Sequence, residues 1–143
     1  MKTSTLLKLA SFFSLFTFVG HTIGIFLPIP KEHVNLINLV ESMKQTYVIF
    51  PIGKPKSYYD VFLGNNYITS LSLLFIGIQL LLLSLKNEFD SIDKKHFILL
   101  AVFSGFLSLI SILLFFPFPS ICMGICFLLI LIVYKKINKV PIT

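Results

Sequence analysis

Four long apolar stretches, almost free of charge, divide this chain of 143 residues, and a water-soluble fold has no interior large enough to hide them. The first runs from Leu6 to Pro28, the second from Tyr59 to Leu85, the third from Phe97 to Phe116 and the fourth from Ile121 to Tyr134. A hydrocarbon core about 30 Å thick needs roughly 20 helical residues. The fourth run is short, so it must recruit part of Phe116–Ser120 or sit where the bilayer thins. The spacing therefore predicts spans over about 6–28, 59–85, 97–116 and 118–135, with an outer loop over 29–58. Composition agrees, at 56% hydrophobic and only 13% charged residues with a mean hydropathy of +0.92. The expected fold class is an all-α membrane protein: one four-helix transmembrane bundle over 1–143, with a short amphipathic helix in the outer loop.

The chain has no arginine, so all 12 of its basic residues are lysines and orientation rests on them. With a cytoplasmic N-terminus, that side carries Lys2, Lys8, Lys86, Lys94, Lys95, Lys135, Lys136 and Lys139. The other side carries Lys31, Lys44, Lys54 and Lys56. Both termini are thus expected in the cytoplasm. The net charge of +6 follows from this orientation and from attraction to anionic headgroups, and nucleic acid is not an expected partner. A cleaved leader would place Phe18 and Gly20 at the third and first positions before the cut, and phenylalanine suits the former poorly, so an uncleaved first span is expected.

In the outer loop, Val34, Ile37, Leu39, Val40 and Met43 recur at near-helical spacing, which predicts a short interfacial helix from about Glu32 to Thr46, ended before Pro51. Gly53 and Pro55 then turn the chain into the second span. Lys86–His96 mixes lysines with Glu88, Asp90 and Asp93 and reads as a solvated cytoplasmic connector. Phe116–Ser120 holds two prolines and no charge, which predicts a tight antiparallel hairpin between spans three and four.

Lipid is as apolar as leucine, so contacts between spans select small and weakly polar residues. In the first span Ala10, Ser14, Thr17, His21 and Gly24 form one such face, opposite Phe12, Leu15, Phe16 and Val19, and Gly20 with Gly24 makes a G-x-x-x-G pair. Ala101, Ser104, Ser108 and Ser111 repeat the device in the third span. Asn65, Thr69, Ser72 and Gln79 offer a compatible phase in the second.

An ionisable residue within a span is a functional candidate by default. His21 is that residue here, and Asp60 begins the second span from the same side. A histidine steadied by a carboxylate can serve as a general base or proton relay, with Tyr58 as a phenolic donor. The catalytic candidates are therefore His21, Asp60 and Tyr58, and the ligand-binding candidates beside them are Thr22, Gly24, Ser57 and Asn65. The bland alternative makes His21 a hydrogen-bonded clamp between the first two spans.

Gly20-His21-Thr22-Ile23-Gly24 and Ser57-Tyr58-Tyr59-Asp60-Val61-Phe62-Leu63-Gly64 resemble the G-H-T-x-G and S-Y-x-D-x-x-x-G patterns of an uncharacterised family of small bacterial four-span membrane proteins. The likeness covers about the first 85 residues. It implies four membrane helices in a bacterial cytoplasmic membrane, with no assigned activity, and it ties the two segments to one shared site or contact.

Cys122 and Cys126 lie one turn apart on a continuous helix, which suits two small packing residues better than a disulfide. No histidine pair is placed to sandwich a haem, and neither metal spacing nor a phosphate loop is present, so no cofactor or metal is expected. Two functions remain open. The first is binding of a lipid-like ligand or a membrane partner, with a homo-oligomer allowed. The second is a membrane-embedded enzyme acting on a lipophilic substrate through His21 and Asp60 near the outer leaflet.

Overall fold

The computed structural model describes residues 2–114 and 117–138. The order of elements is α1 (Thr3–Phe26), α2 (Val34–Gln45), β1 (Tyr47–Val48), β2 (Lys56–Ser57), α3 (Tyr58–Ser84), α4 (Ser91–Leu114) and α5 (Pro117–Asn138). Helices α1, α3, α4 and α5 are long and apolar enough to cross a membrane. The chain is a multi-pass membrane protein of the expected all-α, four-span class.

Local chemistry sets where the helices start. At α3, Ser57 Oγ accepts from the Asp60 N–H at 3.1 Å, and Asp60 Oδ2 accepts from the Ser57 N–H at 3.2 Å. This reciprocal capping box satisfies donors that a helix start leaves unpaired. A second box opens α4: Asp90 Oδ1 accepts from the Asp93 N–H at 2.8 Å, and Asp93 Oδ2 from the Asp90 N–H at 3.1 Å. The helix consequently begins at Ser91 rather than near Phe97, and the expected connector over Lys86–His96 ends before Ser91. Pro117 and Pro119 both sit in the first turn of α5. Their missing N–H groups have no intrahelical partner to lose there. Most of the predicted Phe116–Ser120 connection is thus helix, while Phe115 and Phe116 lie outside the described residues. With 22 residues α5 is about 33 Å long, enough to span a bilayer unaided.

The chain forms two compact units, Met1–Val19 with Ser72–Thr143, and Gly20–Leu71. In the first, Leu7 and Ala10 of α1, Ile76 and Leu80 of α3, Phe97 and Ala101 of α4, and Cys126 and Ile130 of α5 share one buried core. At Gly77 of α3 a Cβ would lie 2.6 Å from the Leu15 side chain of α1. Around that contact Ser11 Oγ donates to the Gly77 carbonyl at 2.7 Å, Ser14 Oγ to the Leu73 carbonyl at 2.8 Å, and Ser4 Oγ to the Ser84 carbonyl at 2.7 Å. Interhelical hydrogen bonds of this kind contribute about 0.6 kcal/mol each on average in a membrane, so the three together rival one well-packed apolar contact.

Ala10, Ser14 and Thr17 are buried as the spacing predicts, while Phe12 and Phe16 are exposed. Leu15 departs from expectation by packing on Gly77 instead of facing outward, because it lies one turn beyond Ser11 at the edge of the buried face. Between α4 and α5, Ser108 Oγ donates to the Ser120 carbonyl at 2.9 Å, and a Cβ on Gly105 would lie 3.3 Å from the Phe127 ring. Cys122 and Cys126 are buried free thiols.

Candidate functional site

The second unit gathers every candidate residue named from the sequence. It contains the last turns of α1 from Gly20, helix α2, the β1–β2 pair and the first turns of α3 up to Leu71.

His21 pairs with Ser70, not with Asp60. Its Nδ1 lies 3.0 Å from Ser70 Oγ, and Thr22 Oγ1 donates to the same oxygen at 3.2 Å. Ser70 is buried, and its hydroxyl accepts from Thr22 while sharing a hydrogen bond with the His21 ring. The cluster is a clasp between α1 and α3. A Ser–His contact also occurs in nucleophilic catalysis, but Ser70 is enclosed and already shared between two partners from α1.

Asp60 has a different task. It is exposed, and besides the Ser57 N–H its Oδ2 accepts from Ser57 Oγ at 2.8 Å. Ser70 stands ten residues further along α3, about 15 Å of rise away. The candidate His21–Asp60 pair is therefore not formed: the carboxylate caps α3, and the imidazole is held against Ser70 further along that helix. Ser57 is the partner of the cap. Tyr58 and Asn65 are exposed, and neither side chain joins the clasp. Gly24, like Gly20, would meet nothing within 4 Å among the described residues if given a Cβ, so the G-x-x-x-G pair makes no close helix contact there.

A double-mutant cycle tests this assignment. His21→Ala and Ser70→Ala are each expected to lower stability by about 1 kcal/mol and to couple by at least about 0.5 kcal/mol, whereas His21→Ala and Asp60→Asn are expected to be additive. Coupling between His21 and Asp60 of similar size would restore the pair.

The unit also holds a feature the spacing did not reveal, a cleft of about 440 Å³ at the ends of α1 and α3 beneath α2. Its walls are Ile25 and Phe26 in the last turn of α1, Leu27 to Ile29 after it, Ile37 and Val40 on α2, and Leu63 on α3. Glu41, Lys44, Tyr59 and Tyr67 add the polar groups. Lys44 Nζ donates to Glu41 Oε1 at 2.7 Å and stands 5.5 Å from the centre of the Tyr59 ring. The hydrogen bond to Glu41 raises the Lys44 pKa above its ordinary value. Phe26 and Tyr67 approach at 6.4 Å between ring centres.

Two devices hold α2 over the cleft. Strand β1 pairs antiparallel with β2, Tyr47 opposite Ser57 and Val48 opposite Lys56, and the Tyr58 N–H donates to the Thr46 carbonyl at 2.9 Å. The connecting turn needs Gly53, whose φ of +102° is a conformation that side chains resist. Its tip leaves Ile49 at 84% and Ile52 at 91% exposure, beside Lys54 and Lys56. An apolar tip next to lysines suits the headgroup layer better than open water.

Glu41 and Lys44 were legible only as part of an amphipathic helix, since their i,i+3 spacing is common on helix surfaces. Ser70 was within reach of the sequence: with Leu73 and Gly77 it repeats at three and four residues, marking the face of α3 that meets α1. No family model, curated protein or solved structure matches this chain.

Proposed function

We propose that this chain is an integral membrane protein that binds a lipid-like amphiphile in the cleft of its second unit. The observation that carries this reading is the cleft itself: about 440 Å³, with apolar residues such as Ile25, Phe26, Val40 and Leu63 along its walls and the polar groups of Glu41, Lys44 and Tyr59 beside them. Ligand sites generally have this size. The cleft lies at the ends of two spanning helices under an amphipathic helix, where a lipid can enter sideways with its chain still in hydrocarbon.

The lysine distribution supports a membrane orientation with both termini cytoplasmic and the cleft on the opposite side, in keeping with the resemblance to small bacterial four-span proteins of the cytoplasmic membrane. The S-Y-x-D-x-x-x-G segment of that resemblance caps α3 and supplies Tyr59 and Leu63 to the cleft. The enzyme reading depended on a His21–Asp60 pair, and the separate engagements of these residues take away its support.

Val40→Trp tests the proposal by filling the cleft from α2. Native mass spectrometry of the detergent-purified protein is expected to show bound lipid on the wild type and about tenfold less on the variant. Equal lipid retention by the two proteins would refute binding in this cleft.

A further inference from the structure

The polar end of the cleft carries a matched pair of charges, and this narrows what kind of amphiphile it would accept. A lone lysine favours anionic heads and a lone carboxylate favours cationic ones. Here Lys44 and Glu41 lie 2.7 Å apart on successive turns of α2, and both border the cleft. A purely anionic head that approaches Lys44 meets the Glu41 carboxylate at almost the same distance. A purely cationic head meets Lys44 in the same way. A head with one charge of each sign avoids both penalties, because it replaces one ion pair with two.

We infer that the cleft selects a zwitterionic aminophosphate amphiphile, with the ligand's phosphate taken by Lys44 and its ammonium by Glu41. This rests on the cleft being a lipid site, as proposed above. Both side chains are about half exposed, at 45% for Lys44 and 55% for Glu41, so they have room to part and admit a head between them. Tyr59 is placed to steady this exchange, since its ring already stands beside the Lys44 ammonium. The Tyr67 ring lines the apolar part of the cleft with Phe26, along the course an acyl chain would follow. An uncharged head would leave the ion pair intact and gain nothing from it.

The test uses the full chain, delipidated in detergent and titrated with three short-chain lipids of equal acyl length: a phosphatidylethanolamine, a phosphatidylglycerol and a diacylglycerol. Binding is read from the concentration dependence of thermal denaturation. The wild type is expected to bind the phosphatidylethanolamine at least fivefold more tightly than the other two. Glu41→Gln, which frees Lys44, is expected to reverse the order toward phosphatidylglycerol. Glu41→Gln combined with Lys44→Gln is expected to level all three. Both positions lie on an exposed helix surface, so these variants fold. Phosphatidylglycerol binding by the wild type at equal or higher affinity, or an unchanged order in Glu41→Gln, would overturn the headgroup inference. If all three lipids bind alike and Val40→Trp abolishes them all, the cleft remains a lipid site and only the headgroup inference falls. If Val40→Trp changes nothing, both fall together.

Discussion

Gly77→Val is expected to lower the stability of the four-span protein by about 3 kcal/mol, the largest effect of any single substitution considered for it. A Cβ at this position already falls 2.6 Å from Cγ and Cδ2 of Leu15, and the Leu15 backbone nitrogen stands 3.4 Å away. Either the half-buried Leu15 side chain leaves its place on Gly77 or α1 and α3 separate, and both cost packing. Separation would also stretch the Ser11 bond to the Gly77 carbonyl and the Ser14 bond to the Leu73 carbonyl, which hold the helices on either side of the contact. Gly77→Ala is expected to cost less, since the gain in helix propensity over glycine, about 1 kcal/mol, offsets part of the overlap. Adding Leu15→Ala to Gly77→Val removes the colliding atoms and is expected to recover more than half of the loss. Reversible unfolding in mixed micelles measures all four proteins. A Gly77→Val protein within about 0.5 kcal/mol of the wild type would show that the helices do not meet there.

The spanning helices were legible because the bilayer imposes a length: three of the four apolar runs reach it and the fourth does so by recruiting the residues that precede it, and every unpaired backbone group in hydrocarbon would be costly. Helix boundaries were less legible. Asp90-Ser91-Ile92-Asp93 looked like part of a solvated connector, yet its carboxylates are the two halves of a capping box that starts α4. Ser57-Tyr58-Tyr59-Asp60 has the same form, and there the sequence reading gave Asp60 a chemical role that its hydrogen bonds assign to capping. In both cases the serine or aspartate followed three residues later by an acid, just before an apolar run, was the signal available.

The candidate site was legible only in part, for a geometric reason. Helical spacing identifies a face but not the height at which two helices touch, so His21 was correctly drawn toward α3 and wrongly matched with a residue about 15 Å away along it. The cleft was less accessible still. It depends on β1 pairing with β2 and on the turn at Gly53, which together bring α2 over the ends of α1 and α3. Two-residue strands carry too little alternation to announce themselves in a sequence.

Asp93→Ala is expected to destabilise the first unit by about 2 kcal/mol, because it removes two bonds from one buried carboxylate. Asp93 is only 4% exposed, and its oxygens accept from Lys86 Nζ at 2.6 Å and from the Asp90 N–H at 3.1 Å. The lysine bond is the weaker contributor of the two, since the Lys86 side chain is half exposed and water screens it. Asp93→Asn, which keeps an acceptor for the Asp90 N–H, is therefore expected to lose less than half as much.

The pH dependence separates the two bonds. The hydrogen bond to Asp93 raises the Lys86 pKa, so its contribution is complete below about 10.5 and disappears as the pH rises through the higher folded value. Backbone N–H groups, that of Asp93 first, lower the Asp90 pKa, so its contribution is complete above about 4 and disappears as the pH falls through the lower folded value. The wild type is expected to hold a stability plateau between these limits. Asp93→Ala lowers the plateau and removes the alkaline decline due to Lys86, whereas Asp90→Asn weakens the acid decline and leaves the alkaline one. Micelle unfolding between pH 3 and pH 11 measures both limbs, with Lys44→Gln as the common background to remove the alkaline limb of the Lys44–Glu41 pair, and an alkaline limb left unchanged there by Asp93→Ala would show that Lys86 draws its stabilisation from another partner.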